Sequence, residues 1–278
     1  MLLFFSIYAF LIALLIGSFL NVVIARMPED QSVISPPSHC PACGNNIRPY
    51  DNIPVLSWLI LGGKCRDCKT PISFVYPAIE LFTGCLGYLV FAHYIQDLSD
   101  LTWTNAAGVV YMFSFVAILI AVTYIDIRHY IIPDQLSIYA TPFAIVAMAG
   151  LDYLGFEGAI SVKESIIGSV LGGGILGGVA LLWWLIRRIE GMGMGDVKLL
   201  LLIGAVLGPW PAIPFVLFVS AMLAVGFMLP IQLLQGGGMS KALPYGPFLA
   251  WASILYILHG HEIMSLWLPG YEAIFLQI

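Results

Sequence analysis

The sequence predicts an all-α polytopic membrane protein, and its composition carries this prediction. Of the 278 residues, 60% are hydrophobic and only 10% are charged, whereas about 25% of the residues in an ordinary soluble domain are charged. The mean hydropathy is +0.95. So few charged side chains cannot cover so much apolar surface in water. The composition therefore excludes a secreted disulfide scaffold, a nucleic-acid-binding protein and a disordered hub.

The apolar residues are gathered into runs of the length that crosses a bilayer. A spanning helix needs about 20 mostly apolar residues, and seven runs meet this requirement. An eighth run would reach only about 20 Å as a helix, and Pro209-Trp210-Pro211 closes it. We predict about eight transmembrane helices, with seven as the open alternative. In chain order the runs are residues 2–25, 73–95, 105–125, 131–154, 165–186, 197–207 (the short run), 215–234 and 248–268.

The distribution of lysine and arginine predicts how these helices are oriented. If the short run crosses the membrane, ten of the eleven basic residues lie on one side and only Lys163 lies on the other. By the positive-inside rule the basic side is cytoplasmic, and both termini lie outside. The crossing of the short run depends on Lys241 alone.

An insertion after the first helix is the only extended polar segment. We predict a first transmembrane helix at residues 1–26, a small cytoplasmic domain at 27–72 and a transmembrane domain at 73–278. The insertion holds two C-x-x-C pairs about twenty residues apart, a spacing typical of four thiolates that bind one zinc ion. Gly44 follows the first pair, where a turn often needs a positive φ. The predicted ligands are Cys40, Cys43, Cys65 and Cys68.

Two disulfides or a redox-active C-x-x-C are the alternatives to zinc. Cytosolic thiols stay reduced, and a redox motif is usually single and belongs to a βαβ fold. A segment this short cannot build a hydrophobic core alone, so metal binding would supply the missing folding free energy. Zinc is therefore the favoured interpretation. Cys85 lies within an apolar run, where a cysteine is usually a small core residue.

Two aspartates near the cytoplasmic ends of apolar runs are candidates for catalysis. Asp126 ends one run, and Asp196 opens the short one after Gly193 and Gly195. Two carboxylates held close together cannot both ionise, so one can activate water while the other protonates or polarises an amide carbonyl. The glycines would permit an unusual backbone and the close approach of an extended substrate. Boundary residues, helix caps and ion transport remain the alternatives.

Three further features of the apolar runs need an explanation. Asp134 is a weaker candidate for the same site, because it could equally cap a helix or pair with Arg128. Glu80 lies about two turns into its run, where a lone carboxylate needs a partner. Small residues at i, i+4 spacing predict close helix packing in lipid for the run 165–186. Its glycines are Gly168, Gly172, Gly173, Gly174, Gly177 and Gly178.

Five ordered motifs resemble those of type IV prepilin peptidases. They are GSFLNVVIARMP, the paired C-x-x-C insertion, YPAIELFTG, DIRHYIIPD and GMGDVKLL. The resemblance covers nearly the whole chain. It implies a bacterial inner-membrane enzyme, which cleaves the leader of prepilins or pseudopilins after a glycine on the cytoplasmic side. In that membrane the termini that the positive-inside rule places outside would be periplasmic. The resemblance also implies that Asp126 and Asp196 are the catalytic pair.

Members of that family with the large cytoplasmic insertion also methylate the new N-terminal amine with S-adenosylmethionine. The resemblance therefore implies two activities. The expected partners are prepilins or pseudopilins and membrane lipid, and we expect no nucleic-acid partner. We hypothesise that Glu80 helps to receive the polar N-terminal part of the processed substrate. A leader peptidase without methylation is the closest alternative, and the cysteine insertion argues against it. A carboxylate-dependent transporter, which would hold its carboxylates at the bilayer midplane, and a zinc-dependent scaffold are the others.

Overall fold

A computed structural model describes residues 1–188, 193–235 and 244–267. Within these ranges the regular elements are helices joined by turns. The described residues form two isolated β-bridges and no β-sheet. The predicted all-α fold is confirmed. The helices are α1 (Leu2–Arg26), α2 (Leu56–Ile60), α3 (Val75–Tyr94), α4 (Trp103–His129), α5 (Ala140–Tyr153), α6 (Val162–Arg187), α7 (Met194–Leu207), α8 (Ala212–Gln235) and α9 (Gly246–Trp267).

Five candidate membrane spans are found in the described part of the chain. They contain α1, α3, α4, α5 and α6. Helix α7 has 14 residues, which corresponds to about 21 Å and is short for a full crossing. The protein is thus a multi-pass helical membrane protein, while the number eight stays a prediction. Lys241, on which the crossing of the short run depends, lies outside the described residues.

One predicted run is divided by a turn. The run 131–154 does not form one helix, because α5 begins only at Ala140 and a single 3₁₀ turn occupies Asp134–Leu136. Pro133 explains the break, since proline lacks an amide donor and disfavours a helical conformation at the residue before it. Tyr130, with φ +56°, ends the preceding helix. Residues 130–139 therefore form a connection that places side chains beside the end of α4.

The chain forms two compact units, Met1–Ile125 and Asp126–Ile278. In the first unit, α1 packs along α3. A Cβ on Gly17 would lie 2.8 Å from the Cα atom of Glu80, so the absence of a side chain at Gly17 lets the two backbones approach at the buried glutamate.

In the second unit, α6 packs on α7 and α8 packs on α9. A Cβ on Gly168 would overlap the carbonyl oxygen of Gly204, and a Cβ on Gly172 would overlap that of Leu200. The prediction that glycines allow close packing of this helix is therefore confirmed at these two positions. It is wrong for Gly174 and Gly178, where added Cβ atoms would meet no atom of the described residues within 4 Å.

Candidate active site and metal site

Asp126 lies in the last turn of α4, and its side chain is buried. The residue is 5% exposed. Its Oδ2 atom accepts a hydrogen bond of 3.1 Å from the backbone amide of Gly246, the first residue of α9. A buried carboxylate is stable only when polar groups replace its water, and this amide supplies one such contact. The start of α9 thus belongs to the surroundings of Asp126.

Asp196 lies in the first turn of α7, as its predicted place at a helix N-terminus requires. The helix begins at Met194, and the amide of Asp196 donates to the carbonyl of Gly193 over 3.2 Å. The side chain is half-buried, and it interacts electrostatically with Asp126. Although they are 70 positions apart in the sequence, the two predicted aspartates both belong to the second unit. Two negative carboxylates repel each other, and this repulsion favours a state in which the pair shares one proton.

Ile132, from the connection after α4, lies between two glycines of this site. A Cβ on Gly195 would be 3.1 Å from the Cβ atom of Ile132, and a Cβ on Gly246 would be 3.1 Å from its Cδ1 atom. Gly195 therefore permits close packing of the protein itself. Gly193 has φ −65° and ψ 130°, which any residue can adopt, so the expected unusual backbone is absent there. With no side chain, Gly193 leaves the nearby carboxylate of Asp196 uncovered.

Asp134 forms an ion pair with Lys198 of α7. Its Oδ1 atom lies 2.6 Å from Nζ of Lys198, and the two side chains are 44% and 29% exposed. Of the two alternatives left open for Asp134, pairing is correct, but the partner is Lys198 rather than Arg128. The pair ties the connection that carries Ile132 to the helix that carries Asp196. Lys198 thus has a structural contact in addition to its value as a marker of orientation.

Sequence reasoning missed the contribution of Gly246, Tyr245 and Ser220. The hydroxyl of Tyr245 lies 2.7 Å from Oγ of Ser220 on α8, and Tyr245 interacts electrostatically with Asp196. The available signal was Pro244-Tyr245-Gly246-Pro247 at the start of an apolar run. A glycine between two prolines indicates a specific chain entry into a helix, but nothing in that pattern indicates Asp126 as its partner.

The four predicted cysteines form one cluster in the first unit. Their sulfur atoms all lie within 4.8 Å of one another, and Sγ of Cys40 is 3.7 Å from Sγ of Cys68. A tetrahedral zinc site with Zn–S bonds of about 2.3 Å places its sulfurs about 3.8 Å apart. All the cysteines are free thiols, which disfavours the disulfide alternative. The cluster fits a metal ion held by four thiolates.

Two similar turns present these sulfurs. In each turn the amide of the first cysteine bonds to the carbonyl five residues later, over 2.9 Å, at Asn45 and Thr70. The residue after each second cysteine has a positive φ, which is +75° at Gly44 and +59° at Lys69. The expectation for Gly44 is confirmed, and Lys69 adopts the same conformation without being glycine. Hydrogen bonding between Cys68 and Thr70, first with the threonine side chain and then with its backbone, lowers the pKa of Cys68 to about 6, which favours the thiolate.

An ion-pair network outside the cluster holds the insertion together. Arg66 donates to both oxygens of Asp51, with Nε–Oδ2 at 2.8 Å, and Arg48 lies 3.7 Å from Asp67. The hydrogen bond from Arg66 lowers the pKa of Asp51. Both arginines approach the ring of Tyr50, whose centroid lies 6.0 Å from Cζ of Arg48 and 5.4 Å from Cζ of Arg66. Paired charges and cation–π contacts supplement a segment that has little apolar core.

Glu80 joins this insertion to α3. Its Oε2 atom accepts the backbone amide of Val55 over 2.7 Å, and the side chains of Ser18 and Asn21 on α1 lie beside it. The residue is 8% exposed. Val55 has φ +61°, which is a strained conformation for a β-branched residue. We expected a buried carboxylate at Glu80 to need a partner, and that partner is the backbone amide of Val55, a residue of the insertion with a strained conformation.

Comparison with known proteins identifies the family. A family model described as the bacterial peptidase A24 N-terminal domain matches residues 11–94, and that of the type IV leader peptidase family matches residues 113–229. No solved structure matches the chain.

Three relatives illustrate the similarity, and each is named a prepilin leader peptidase/N-methyltransferase. That of Aeromonas hydrophila is 34% identical over 286 residues, which cover 94% of this chain and 93% of the relative. That of Dichelobacter nodosus is 37% identical and covers 92% of each chain. That of Pseudomonas aeruginosa is 32% identical, covering 93% of this chain and 91% of the relative. The chain therefore belongs to the type IV leader peptidase family.

Proposed function

We propose that this protein is a membrane-embedded aspartic endopeptidase that removes the leader of type IV prepilins and pseudopilins after a glycine, and then methylates the new N-terminal amine. The observation that carries the proposal is the pairing of Asp126 and Asp196. The two carboxylates interact in the second unit, in a chain whose relatives are named for both activities over nine-tenths of its length.

Asp126 and Asp196 perform the hydrolysis together. One carboxylate accepts a proton from water, and the water oxygen bonds to the carbonyl carbon of the scissile peptide. The other aspartate, which is in its carboxylic acid form, donates its proton to the carbonyl oxygen and so disperses the developing charge. The first aspartate then passes its proton to the amide nitrogen as the carbon–nitrogen bond breaks. The second aspartate recovers a proton from the tetrahedral intermediate, which leaves a carboxylic acid and an amine. Gly193 leaves room beside Asp196 for the substrate backbone.

Gly195, Asp134 and Glu80 support the chemistry from further away. Gly195 accommodates Ile132, and Asp134 holds the same connection to α7 through Lys198. Glu80 anchors the insertion at Val55, and we assign to it the reception of the polar N-terminal part of the processed substrate.

The cysteine insertion binds a structural zinc ion through Cys40, Cys43, Cys65 and Cys68. S-adenosylmethionine is the methyl donor, and it supplies an electrophilic methyl group on a sulfonium. When bound, this donor would supply the methyl group to the new N-terminal amine, which would lose a proton. The zinc ion is assigned no part in that transfer.

The chain crosses the bacterial inner membrane about eight times in this proposal. Residues 1–26 form the first span, 27–72 the cytoplasmic zinc domain and 73–278 the peptidase domain. The zinc domain and the aspartate pair lie on the cytoplasmic side, and both termini lie in the periplasm, because ten of the eleven basic residues fall on one side. The apolar helix of the substrate stays in the bilayer while its leader reaches the cytoplasm.

Intact mass spectrometry of a prepilin tests both activities. The prepilin is co-expressed with the wild-type protein, with Asp126→Asn and with Asp196→Asn. We expect loss of the leader plus one methyl group with the wild type, and an unchanged prepilin with either variant. Cleavage without the methyl group would remove the transferase assignment. An unchanged prepilin with the wild-type protein, across several substrates, would favour the transporter or scaffold alternative.

A further inference from the structure

The start of α9 contacts the candidate active site through a single backbone group. Among the described residues, the amide of Gly246 is the hydrogen-bond donor to the carboxylate of Asp126, over 3.1 Å to Oδ2. The two residues are 120 positions apart in the sequence. Both are buried, so water does not compete freely for this bond.

We infer that Gly246 is a positioning residue of the peptidase, which anchors Oδ2 of Asp126 through its backbone amide and leaves Oδ1 as the oxygen that works on water or substrate. The inference rests on the proposed function. An amide N–H donates a stronger hydrogen bond to a carboxylate oxygen that carries no proton than to the hydroxyl oxygen of a carboxylic acid. The bond therefore favours an unprotonated Oδ2 and restrains the rotation of the carboxylate, so that the proton shared by the pair moves between Oδ1 and Asp196.

The space around Gly246 supports the same role. A Cβ at this position would lie 2.7 Å from Oδ2 of Asp126 and 3.1 Å from Cδ1 of Ile132. Both atoms are the ends of side chains that can rotate. A methyl group at residue 246 would therefore be accommodated by turning the aspartate carboxylate away, and the backbone could remain in place. Few single substitutions would displace a catalytic carboxylate so selectively.

The neighbouring residues hold Gly246 where it can act. The hydroxyl of Tyr245 is bonded to Ser220 on α8 over 2.7 Å. Pro247 follows directly and is buried at the start of α9. Proline restricts the conformation of the residue before it. The residues on both sides of Gly246 therefore restrain the orientation of its amide. A fixed amide adds little reorganisation cost when charge shifts at the carboxylate.

Steady-state cleavage of a purified prepilin by the Gly246→Ala variant tests this inference. A misplacement of about 1 Å can lower the rate of an enzyme about 100-fold. We expect kcat to fall at least about tenfold while KM and the melting temperature stay near the wild-type values. Gly226→Ala on α8 is the matched control, because a Cβ there would meet nothing within 4 Å, and it should cleave at the wild-type rate.

The Ile132→Val/Gly246→Ala double variant gives a second test, which also applies if Gly246→Ala alone does not fold. Removing Cδ1 of Ile132 relieves one of the two close contacts of the new methyl group, so the double variant should fold. The contact with Oδ2 of Asp126 remains, so the double variant should still cleave more slowly than Ile132→Val alone. Wild-type kcat in folded Gly246→Ala, or in the double variant, would overturn the inference. If the wild-type protein itself does not cleave prepilin, the proposed function fails instead.

Discussion

Gly168 of α6 and Gly204 of α7 face each other so closely that neither position has room for a Cβ atom. A side chain on either glycine would overlap the carbonyl oxygen of the other. Ser165, one turn before Gly168, donates its hydroxyl to the carbonyl of Ala205 over 2.5 Å. Helices associate in lipid mainly through close packing and interhelical hydrogen bonds. This contact therefore determines the position of α7, which carries Asp196.

We predict that Gly168→Ala separates α6 from α7 and impairs both folding and cleavage. The nearest neighbours of the new methyl group are backbone atoms, which cannot move independently. Overpacking of this kind costs about 1–3 kcal/mol or more. Thermal unfolding in detergent should show a clear fall in melting temperature. Gly174→Ala on the same helix is the control, because its Cβ meets nothing within 4 Å, and alanine favours a helix over glycine by about 1 kcal/mol. Equal melting temperatures for the two variants would contradict the packing explanation.

The ion pair between Asp134 and Lys198 should matter more for rate than for stability. Both side chains are partly exposed, so the pair contributes at most about 1 kcal/mol to folding. In Lys198→Met the connection that carries Ile132 loses its tether to α7, and we expect kcat for prepilin cleavage to fall several-fold with little change in melting temperature.

Lys163→Met controls for the loss of a positive charge, and it should cleave normally. The exchanged pair, Asp134→Lys with Lys198→Asp, should recover part of the rate. An exchanged pair no faster than Lys198→Met would show that the tether is not the reason for the loss.

The cysteine cluster should bind one zinc ion that is lost when any ligand is removed. We expect metal analysis of purified protein to give one zinc per chain for the wild type and much less for Cys40→Ser or Cys65→Ser, because three thiolates leave the tetrahedral site incomplete. Cys85→Ser is the control, since Cys85 lies outside the cluster, and it should keep its zinc. Stoichiometric zinc in both ligand variants would overturn the ligand assignment.

The bond between Glu80 and Val55 should stabilise the junction of the insertion with α3. Glu80→Ala removes the acceptor of the Val55 amide, and an unpaired buried donor costs about 1–3 kcal/mol. Glu80→Gln keeps an acceptor oxygen, so its melting temperature should lie between those of Glu80→Ala and the wild type. The same variant tests the assigned role in substrate reception. Cleavage and methylation both at wild-type rates in Glu80→Gln would leave Glu80 with the structural role alone.

The sequence alone predicted the fold class and the grouping of the four cysteines. It also singled out the two aspartates that both lie in the second unit. Composition and the lengths of apolar runs are enough to predict spanning helices, because the bilayer has a fixed thickness and requires every backbone group to be bonded within a helix. The cysteine spacing predicts a cluster because each C-x-x-C turn presents two sulfurs locally. Positive φ at Gly44 follows from the same local geometry.

Only the tertiary structure decided which distant groups meet. The sequence left two alternatives for Asp134 and gave no partner for Glu80, because an ion pair or an amide contact depends on how separate helices pack. Gly246 was missed for the same reason, since a backbone amide leaves no chemical signature in a sequence. The glycines of α6 show most clearly what the sequence cannot predict, because they all lie on one predicted helix. Contact with α7 decides which of them are packed, as Gly168 and Gly172 are. At Gly174 and Gly178 an added Cβ would meet no described atom within 4 Å.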